Sequence, residues 1–188
     1  MATYHFNCTC FLGMSHCGSV EADGAGTVEL TDKEVAALVA LMKEKDSSDV
    51  EAIGLKDALP EIYEKLDAAF HEAAFNAEKD HWLWEGFNSG YYEYDIEELI
   101  EYCEENCGYE FSFDEMDYLN EDGGLDVETA MEGKIETFPE WLEDYLFSLD
   151  IEERHKFFEE KLNAQLDCDD MGCEYEIEIP QAIIEMAF

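Results

Sequence analysis

Basic side chains are scarce in this chain: its 188 residues include ten Lys and Arg but 49 Asp and Glu, giving a formal net charge of −39 at pH 7. The shortage is uneven. Residues 1–79 carry 15 acids and six lysines, whereas residues 80–188 carry 34 acids and four basic residues. A chain with so few cations is poorly equipped to bind nucleic acid or phosphate substrates itself, and anionic lipid would repel it. We therefore expect no direct nucleic-acid binding and no membrane association.

Long apolar runs are also absent, since no stretch approaches the roughly 18 consecutive apolar residues of a transmembrane helix. Residues 1–5 carry no basic region and precede no long apolar segment, so we expect no signal peptide. The seven cysteines are an odd number without a paired framework, which indicates reduced thiols. These features predict a cytoplasmic protein.

Recognisable catalytic motifs are missing as well. The chain contains no G-x-S-x-G, H-E-x-x-H, P-loop or dinucleotide fingerprint. His71, His81 and His155 lie on predicted helices, where a histidine is more often a surface or core residue than a general base. We therefore predict that the protein is not an enzyme and carries no cofactor.

Aromatic residues, by contrast, are plentiful: twelve Phe, ten Tyr and three Trp exclude an ordinary disordered acidic segment. The length suits a single acidic domain, residues 1–188, with a core of its own. The alternative is a subdivision into a less acidic part, residues 1–79, and a strongly acidic part, residues 80–188.

Hydrophobic periodicity predicts about four strands. Residues 4–12 alternate, with Tyr4, Phe6 and Cys8 on one face, and could pair with residues 27–30 in a hairpin. Two further alternating stretches, residues 109–113 and 174–179, predict the other strands.

About five helices are predicted around this sheet. A capping box at Thr31 and Glu34 opens the first, and Pro60 opens a long second helix. Asp95 caps a third helix over residues 96–106, Pro139 stands in the first turn of a fourth, and Asp150 caps a fifth. The pattern predicts an α+β fold, with a small, mainly antiparallel sheet packed with helices.

The helix over residues 96–106 is the most informative stretch. It lies within residues 80–133, which contain eighteen acids and neither Lys nor Arg. One face carries Ile96, Leu99, Ile100 and Cys103 at helical spacing. The other carries like-charge glutamate pairs that cost roughly 1–2 kcal/mol in total. A solvated surface would explain ordinary charge runs, but such surfaces mix both signs, so we expect a binding function here.

The predicted partner-binding residues extend beyond this helix, to an acidic segment after it and to the acidic face of the last predicted strand. They are Glu97, Glu98, Glu101, Glu104, Glu105, Asp114, Glu115, Asp117, Glu174, Glu176 and Glu178. Carboxylates one helical turn apart, about 5.4 Å, approach the charge density of duplex DNA, which has one phosphate per about 3.4 Å of each strand.

In charge and size the chain resembles the DNA-mimic inhibitors that phages and mobile elements use against restriction and related defence systems. The likeness concerns composition and no motif, so it assigns no residues. It implies a protein that binds a basic, nucleic-acid-binding partner protein and competes with DNA for it, steered by charge. The sequence leaves a monomer and a homodimer as alternatives.

Two other functions are compatible with the sequence. An immunity-type inhibitor of one basic, nuclease-like toxin would also be acidic. A thiol-rich metal-binding domain or an enzyme is the third alternative, because Cys8, Cys10, His16 and Cys17 could supply four zinc ligands. Their spacing matches no standard zinc pattern, so we predict buried thiols and no metal site.

Overall fold

The structure, a computed structural model, describes residues 1–15, 18–111, 126–166 and 172–188. Within these residues the protein has an α+β fold, with a three-stranded antiparallel sheet and seven helices, as predicted for the fold class. The elements in chain order are β1 (Ala2–Ser15), β2 (Gly18–Leu30), α1 (Asp32–Lys45), α2 (Leu55–Ala58), α3 (Pro60–Asn88), α4 (Ile96–Asn106), α5 (Val127–Ser148), α6 (Ile151–Lys161), β3 (Glu174–Tyr175) and α7 (Gln181–Ala187).

The chain folds as two compact units. Unit 1 comprises Met1–Trp82 together with Leu166–Phe188, and unit 2 comprises Leu83–Gln165. The sheet, α1, α2, α7 and most of α3 belong to unit 1. The end of α3 and the helices α4, α5 and α6 belong to unit 2. No helix in the described ranges is both long and apolar enough to cross a membrane.

The sheet of unit 1 is built on a long hairpin. β1 pairs antiparallel with β2, with Ala2 opposite Leu30 and Phe11 opposite Glu21, and its other edge pairs with β3, with Cys10 opposite Tyr175. The strand order is therefore β2–β1–β3. The predicted alternation of β1 is confirmed over residues 2–12, because the even-numbered residues there are buried or half-buried and the odd-numbered ones are exposed.

β2 is much longer than the predicted strand over residues 27–30, because glycines occupy its inward positions Gly24 and Gly26 and hide the alternation. These glycines let α3 approach the sheet closely. A Cβ at Gly24 would lie 2.8 Å from the carbonyl oxygen of Ala73, and one at Gly26 would lie 2.6 Å from the Phe6 ring. In the space so created, Phe6 stacks on Phe70 with ring centroids 4.0 Å apart.

The capping box that opens α1 is formed as predicted. The Glu34 backbone N–H donates to Thr31 Oγ1 at 3.3 Å, and the Thr31 N–H donates to the Glu34 carboxylate at 2.7 Å. Lys65 of α3 donates to the same carboxylate at 2.7 Å. The Lys65 hydrogen bond, with those from Thr31, lowers the pKa of Glu34 to about 2. One carboxylate thus joins a helix cap to a second helix.

Three element predictions need correction. Residues 109–111 form no strand, and residues 112–113 lie outside the described residues. The apolar alternation there serves packing on a helix instead, since the ring of buried Tyr109 lies 5.1 Å from that of Phe138 and 4.9 Å from that of Trp141. Of residues 174–179 only Glu174–Tyr175 are strand, although exposed and inward side chains alternate through the whole stretch. The described residues also include the short helix α2, which the pattern did not predict.

The third correction concerns α5, which begins at Val127 and not at Phe138. Asp126 caps it, with its carboxylate accepting from the Thr129 N–H at 3.2 Å and from Thr129 Oγ1 at 3.0 Å. Pro139 therefore lies inside the helix, where it deprives the Ile135 carbonyl of its intrahelical hydrogen bond. The helix continues through this proline, with Phe138 and Leu142 buried beside it.

Unit 2 has a core rich in aromatic rings. Phe138, Leu142 and Leu146 form the buried side of α5, and Phe157 and Phe158 are buried on α6. The only arginine of the sequence, Arg154, donates to the backbone carbonyls of Leu146 and Leu149 at the end of α5. This cation therefore stabilises a helix C-terminus.

Candidate interaction surface

The helix α4 forms as predicted, with the same ends. Asp95 accepts hydrogen bonds from the N–H groups of Glu97 and Glu98 at 3.0 and 3.1 Å, which satisfies the free donors of the first turn. Leu99, Ile100 and Cys103 are buried. The helix ends at Asn106, and Gly108 follows with a φ of 77°, a left-handed conformation that glycine adopts without strain.

The opposite side of α4 is exposed, and we name its carboxylates the α4 acidic face: Glu97, Glu98, Glu101, Glu104 and Glu105. Glu104 forms an ion pair with Lys134 of α5. In the part of the chain that the structure describes, no ion pair involves the other four. Lys134 is thirty residues from Glu104 in the sequence, so the ion pair between them could not be predicted. One member of the face is thus neutralised and four remain uncompensated.

Like-charge repulsion follows from the spacing of these four carboxylates and Glu104. Glu101 stands four residues from both Glu97 and Glu105, and three from both Glu98 and Glu104. Each pair with an uncompensated glutamate costs a few tenths of a kcal/mol, so the pairs with Glu97, Glu98 and Glu105 together repel Glu101 by roughly 1 kcal/mol. Glu101 is the centre of the uncompensated charge on α4.

A second row of carboxylates runs along α5 at intervals of four residues. We name it the α5 acidic row: Glu128, Glu132, Glu136, Glu140 and Asp144, all exposed. The buried residues Ala130, Phe138, Leu142 and Leu146 follow the same four-residue interval, displaced by two positions. Two positions correspond to about 200° around the helix, so each acid lies roughly opposite the position two residues after it, while both rows wind around the helix by about 40° per step.

The sequence does not predict the α5 acidic row, because Pro139 indicates a helix start and so divides the row. The signal was present, as five acids at i, i+4, i+8, i+12 and i+16 predict a row on any continuous helix. At 1.5 Å per residue the row is about 24 Å long, with a charge every 6 Å or so along the axis. Within residues 1–15, 18–111, 126–166 and 172–188, none of its carboxylates takes part in an ion pair.

The remaining predicted partner-binding residues lie elsewhere. Glu174, Glu176 and Glu178 are exposed in unit 1, on extended backbone beside β1, where Tyr175 and Ile177 turn inward between them. Asp114, Glu115 and Asp117 fall outside the described residues. That these eleven residues bind a partner stays a prediction.

Cys8 and Cys10 of unit 1 are buried thiols, whereas Cys173 of the same unit is half-buried. Cys8 and Cys10 face the core from β1, and burial raises the pKa of both thiols. His16 and Cys17, the other two candidate zinc ligands, lie outside the described residues. Across the described ranges no three His, Cys, Asp or Glu side chains are grouped so as to hold a metal ion.

Two cysteines further along the chain also have thiols with a raised pKa. Burial raises the pKa of both Cys103 and Cys173 to about 12. Because the thiolate is the nucleophilic form, these two groups stay protonated and weakly reactive at neutral pH. The histidines pack against rings: His71 lies edge-on to Tyr175 and His81 to Trp82, while His155 is buried.

No protein-family model matches this chain, and no curated protein or solved structure matches it either. The fold and the surface therefore define its class in physical terms, as an α+β protein with two exposed sets of carboxylates in unit 2. Its function is inferred from the spacing, exposure and charge of those groups.

Proposed function

We propose that the protein binds and blocks a basic, nucleic-acid-binding surface of a partner protein, as a DNA-mimic inhibitor of a phage-defence or nucleic-acid-processing system. It acts by occupying that surface and catalyses no reaction. Cytoplasm is the compartment we propose, which suits the free thiols among the described cysteines.

The observation that carries this proposal is the arrangement of carboxylates in unit 2. Four glutamates of the α4 acidic face and five acids of the α5 acidic row are exposed on rigid helices, with one lysine, Lys134, pairing to Glu104. Ordinary solvated helices gain stability from Glu–Lys pairs at i,i+4. These helices forgo that gain, which is understandable if the charge is needed for binding.

The charge spacing supports DNA as the ligand that is imitated. The α5 acidic row presents a charge about every 6 Å over about 24 Å, and one DNA strand presents a phosphate about every 3.4 Å along the axis. A groove lined with Lys and Arg would be attracted to both. Such attraction raises the rate of encounter and falls as salt is added.

A capture experiment tests the proposal. The immobilised protein is exposed to lysate at low ionic strength, the bound proteins are eluted with salt, and each purified partner is then titrated with duplex DNA in excess. We expect DNA to displace the partner competitively, and the affinity to fall steeply with salt. A partner that binds equally well at high salt and with DNA in excess contradicts mimicry. A single small nuclease that DNA does not displace would indicate toxin immunity instead.

A further inference from the structure

An exposed aromatic stack stands beside the α5 acidic row. Phe147 of α5 is 63% exposed, and its ring stacks on that of Trp84, with centroids 4.4 Å apart and an interplanar angle of 21°. Trp84 in turn meets the fully buried Phe158 edge-on, at 5.4 Å. Phe147 is thus the outermost ring of a stack rooted in the core of unit 2. Its position is fixed although much of its surface meets solvent.

Carboxylates flank this ring on the same helix. Glu143 and Asp144 precede Phe147 by four and three residues, so their Cβ atoms lie about 5–6 Å from its own. Both are exposed, and neither is in an ion pair within the described ranges. The exposed ring therefore lies in a strongly negative environment.

A ring flanked by carboxylates favours one kind of side chain. The guanidinium group of arginine is planar and weakly hydrated, so it can stack on an aromatic face and donate hydrogen bonds to a carboxylate at the same time. The ammonium group of lysine is a compact, strongly hydrated charge that gains less from such a site. Unit 2 already contains a cation over an aromatic ring, since Lys161 Nζ lies 3.7 Å from the centroid of Tyr102.

We propose that the Trp84–Phe147 stack, with Glu143 and Asp144, is a receptor for an arginine side chain on the basic surface of the partner. This inference rests on the proposed function and adds the chemistry of the partner. Interface hot spots are enriched in Trp, Tyr and Arg side chains, so an arginine seated on this stack would be a favourable anchor. The carboxylate rows attract any basic surface, whereas this stack selects one that presents arginine.

The test uses two labelled homopeptides of equal length, one of arginine and one of lysine, titrated with the whole protein at low ionic strength. Phe147→Leu removes the ring but keeps an apolar side chain with high helix propensity. Phe188→Leu is the matched control, because Phe188 of unit 1 is 65% exposed. Circular dichroism and thermal melts check that each variant folds like the wild type.

We expect Phe147→Leu to weaken binding of the arginine peptide about fivefold, with less than a twofold change for the lysine peptide. Phe188→Leu should alter neither. Equal weakening of both peptides, or of neither, overturns the arginine receptor and leaves carboxylate-driven binding intact. If neither peptide binds the wild-type protein at low salt, the proposed function fails together with the inference.

Discussion

The two units deal with negative charge differently. Unit 1 has 23 acidic and six basic residues in 105 positions, a net charge of −17, whereas unit 2 has 26 acidic and four basic residues in 83 positions, a net charge of −22. In unit 1 the cation Lys65 forms an ion pair with Glu34, the carboxylate of the α1 capping box. In unit 2 the cations Arg154 and Lys161 contact a helix end and a ring, and the two acidic helices share Lys134.

The cores of the two units also differ in composition. Unit 1 packs aliphatic side chains and a stacked Phe6–Phe70 pair between a sheet and α3. Unit 2 relies on rings, with Trp84, Phe138 and Phe158 each in contact with further aromatic side chains. Burying an aromatic side chain removes about 150–250 Å² from water. Aromatic burial on this scale opposes the repulsion among the carboxylates of unit 2.

Truncating one buried ring in each unit should have the largest effect. Phe70→Ala and Phe158→Ala each remove a fully buried ring, and each should lower the free energy of unfolding by ~3–5 kcal/mol. Added salt should restore more stability to Phe158→Ala, because it screens the repulsion in unit 2. Urea unfolding with hydrogen exchange, at low and high salt, measures both effects. If salt restores the same amount of stability to both variants, the repulsion is not concentrated in unit 2.

Among the described residues of unit 1, one buried carboxyl group has an unsatisfied oxygen. Glu78 of α3 is 5% exposed, and its Oε2 has no hydrogen-bond partner among the described atoms. Glu78→Met should therefore raise the free energy of unfolding by about 1–3 kcal/mol. Glu72→Met, on the exposed side of the same helix, is the control and should change it by less than about 0.5 kcal/mol. A loss of stability in Glu78→Met would show that the carboxylate has a favourable contact.

Charge reversal on α4 should stabilise unit 2. Glu101→Lys converts the repulsive pairs with the uncompensated Glu97, Glu98 and Glu105 into attractive ones, so we expect a gain of about 1–2 kcal/mol in the free energy of unfolding. Glu72→Lys makes the same change in net charge where no acid stands three or four residues away, and we expect less than about 0.5 kcal/mol there. Similar gains in chemical denaturation would assign the effect to overall charge and not to α4.

The smallest expected effect is a pH dependence in unit 1. The folded-state pKa of Glu34 is about 2 against an ordinary value of 4.5. Its contribution is therefore present above pH 4.5 and lost as the pH falls towards 2. When the thermal unfolding midpoint is measured between pH 4.5 and 2, it should fall less steeply with pH in Glu34→Gln than in the control Glu72→Gln. Identical limbs for the two variants would mean that the contacts of Glu34 do not stabilise the fold.

Local signals predicted much of the fold. The capping box of α1, the hairpin, and both ends of α4 followed from a few neighbouring residues. Prediction failed where a local signal was hidden or misleading. Gly24 and Gly26 conceal the length of β2. Pro139 indicates a helix start, although the cap of α5, Asp126, lies thirteen residues before it.

Some features of the candidate surface could be predicted from the sequence, and others could not. The exposure of Glu97, Glu98, Glu101 and Glu105 followed from the helical period of their own segment. The pairing of Glu104 with Lys134 and the stacking of Phe147 on Trp84 join residues far apart in the chain. No local pattern indicates such contacts, because they depend on how the helices of unit 2 pack.

The central claim is that specific carboxylates of unit 2, and not net charge alone, bind the partner. The most direct test compares two variants with equal charge. One neutralises the four uncompensated residues of the α4 acidic face to Gln: Glu97, Glu98, Glu101 and Glu105. The other neutralises four exposed glutamates of unit 1 to Gln: Glu44, Glu51, Glu61 and Glu72.

The measurement is the equilibrium affinity of each variant for the captured partner at one fixed salt concentration. We predict at least a tenfold loss for the α4 variant, about 1.4 kcal/mol, and less than about a twofold loss for the unit 1 variant, whose charges act only through the screened field of the whole protein. Equal losses in the two variants would contradict the claim and reduce the binding to unspecific attraction between opposite charges.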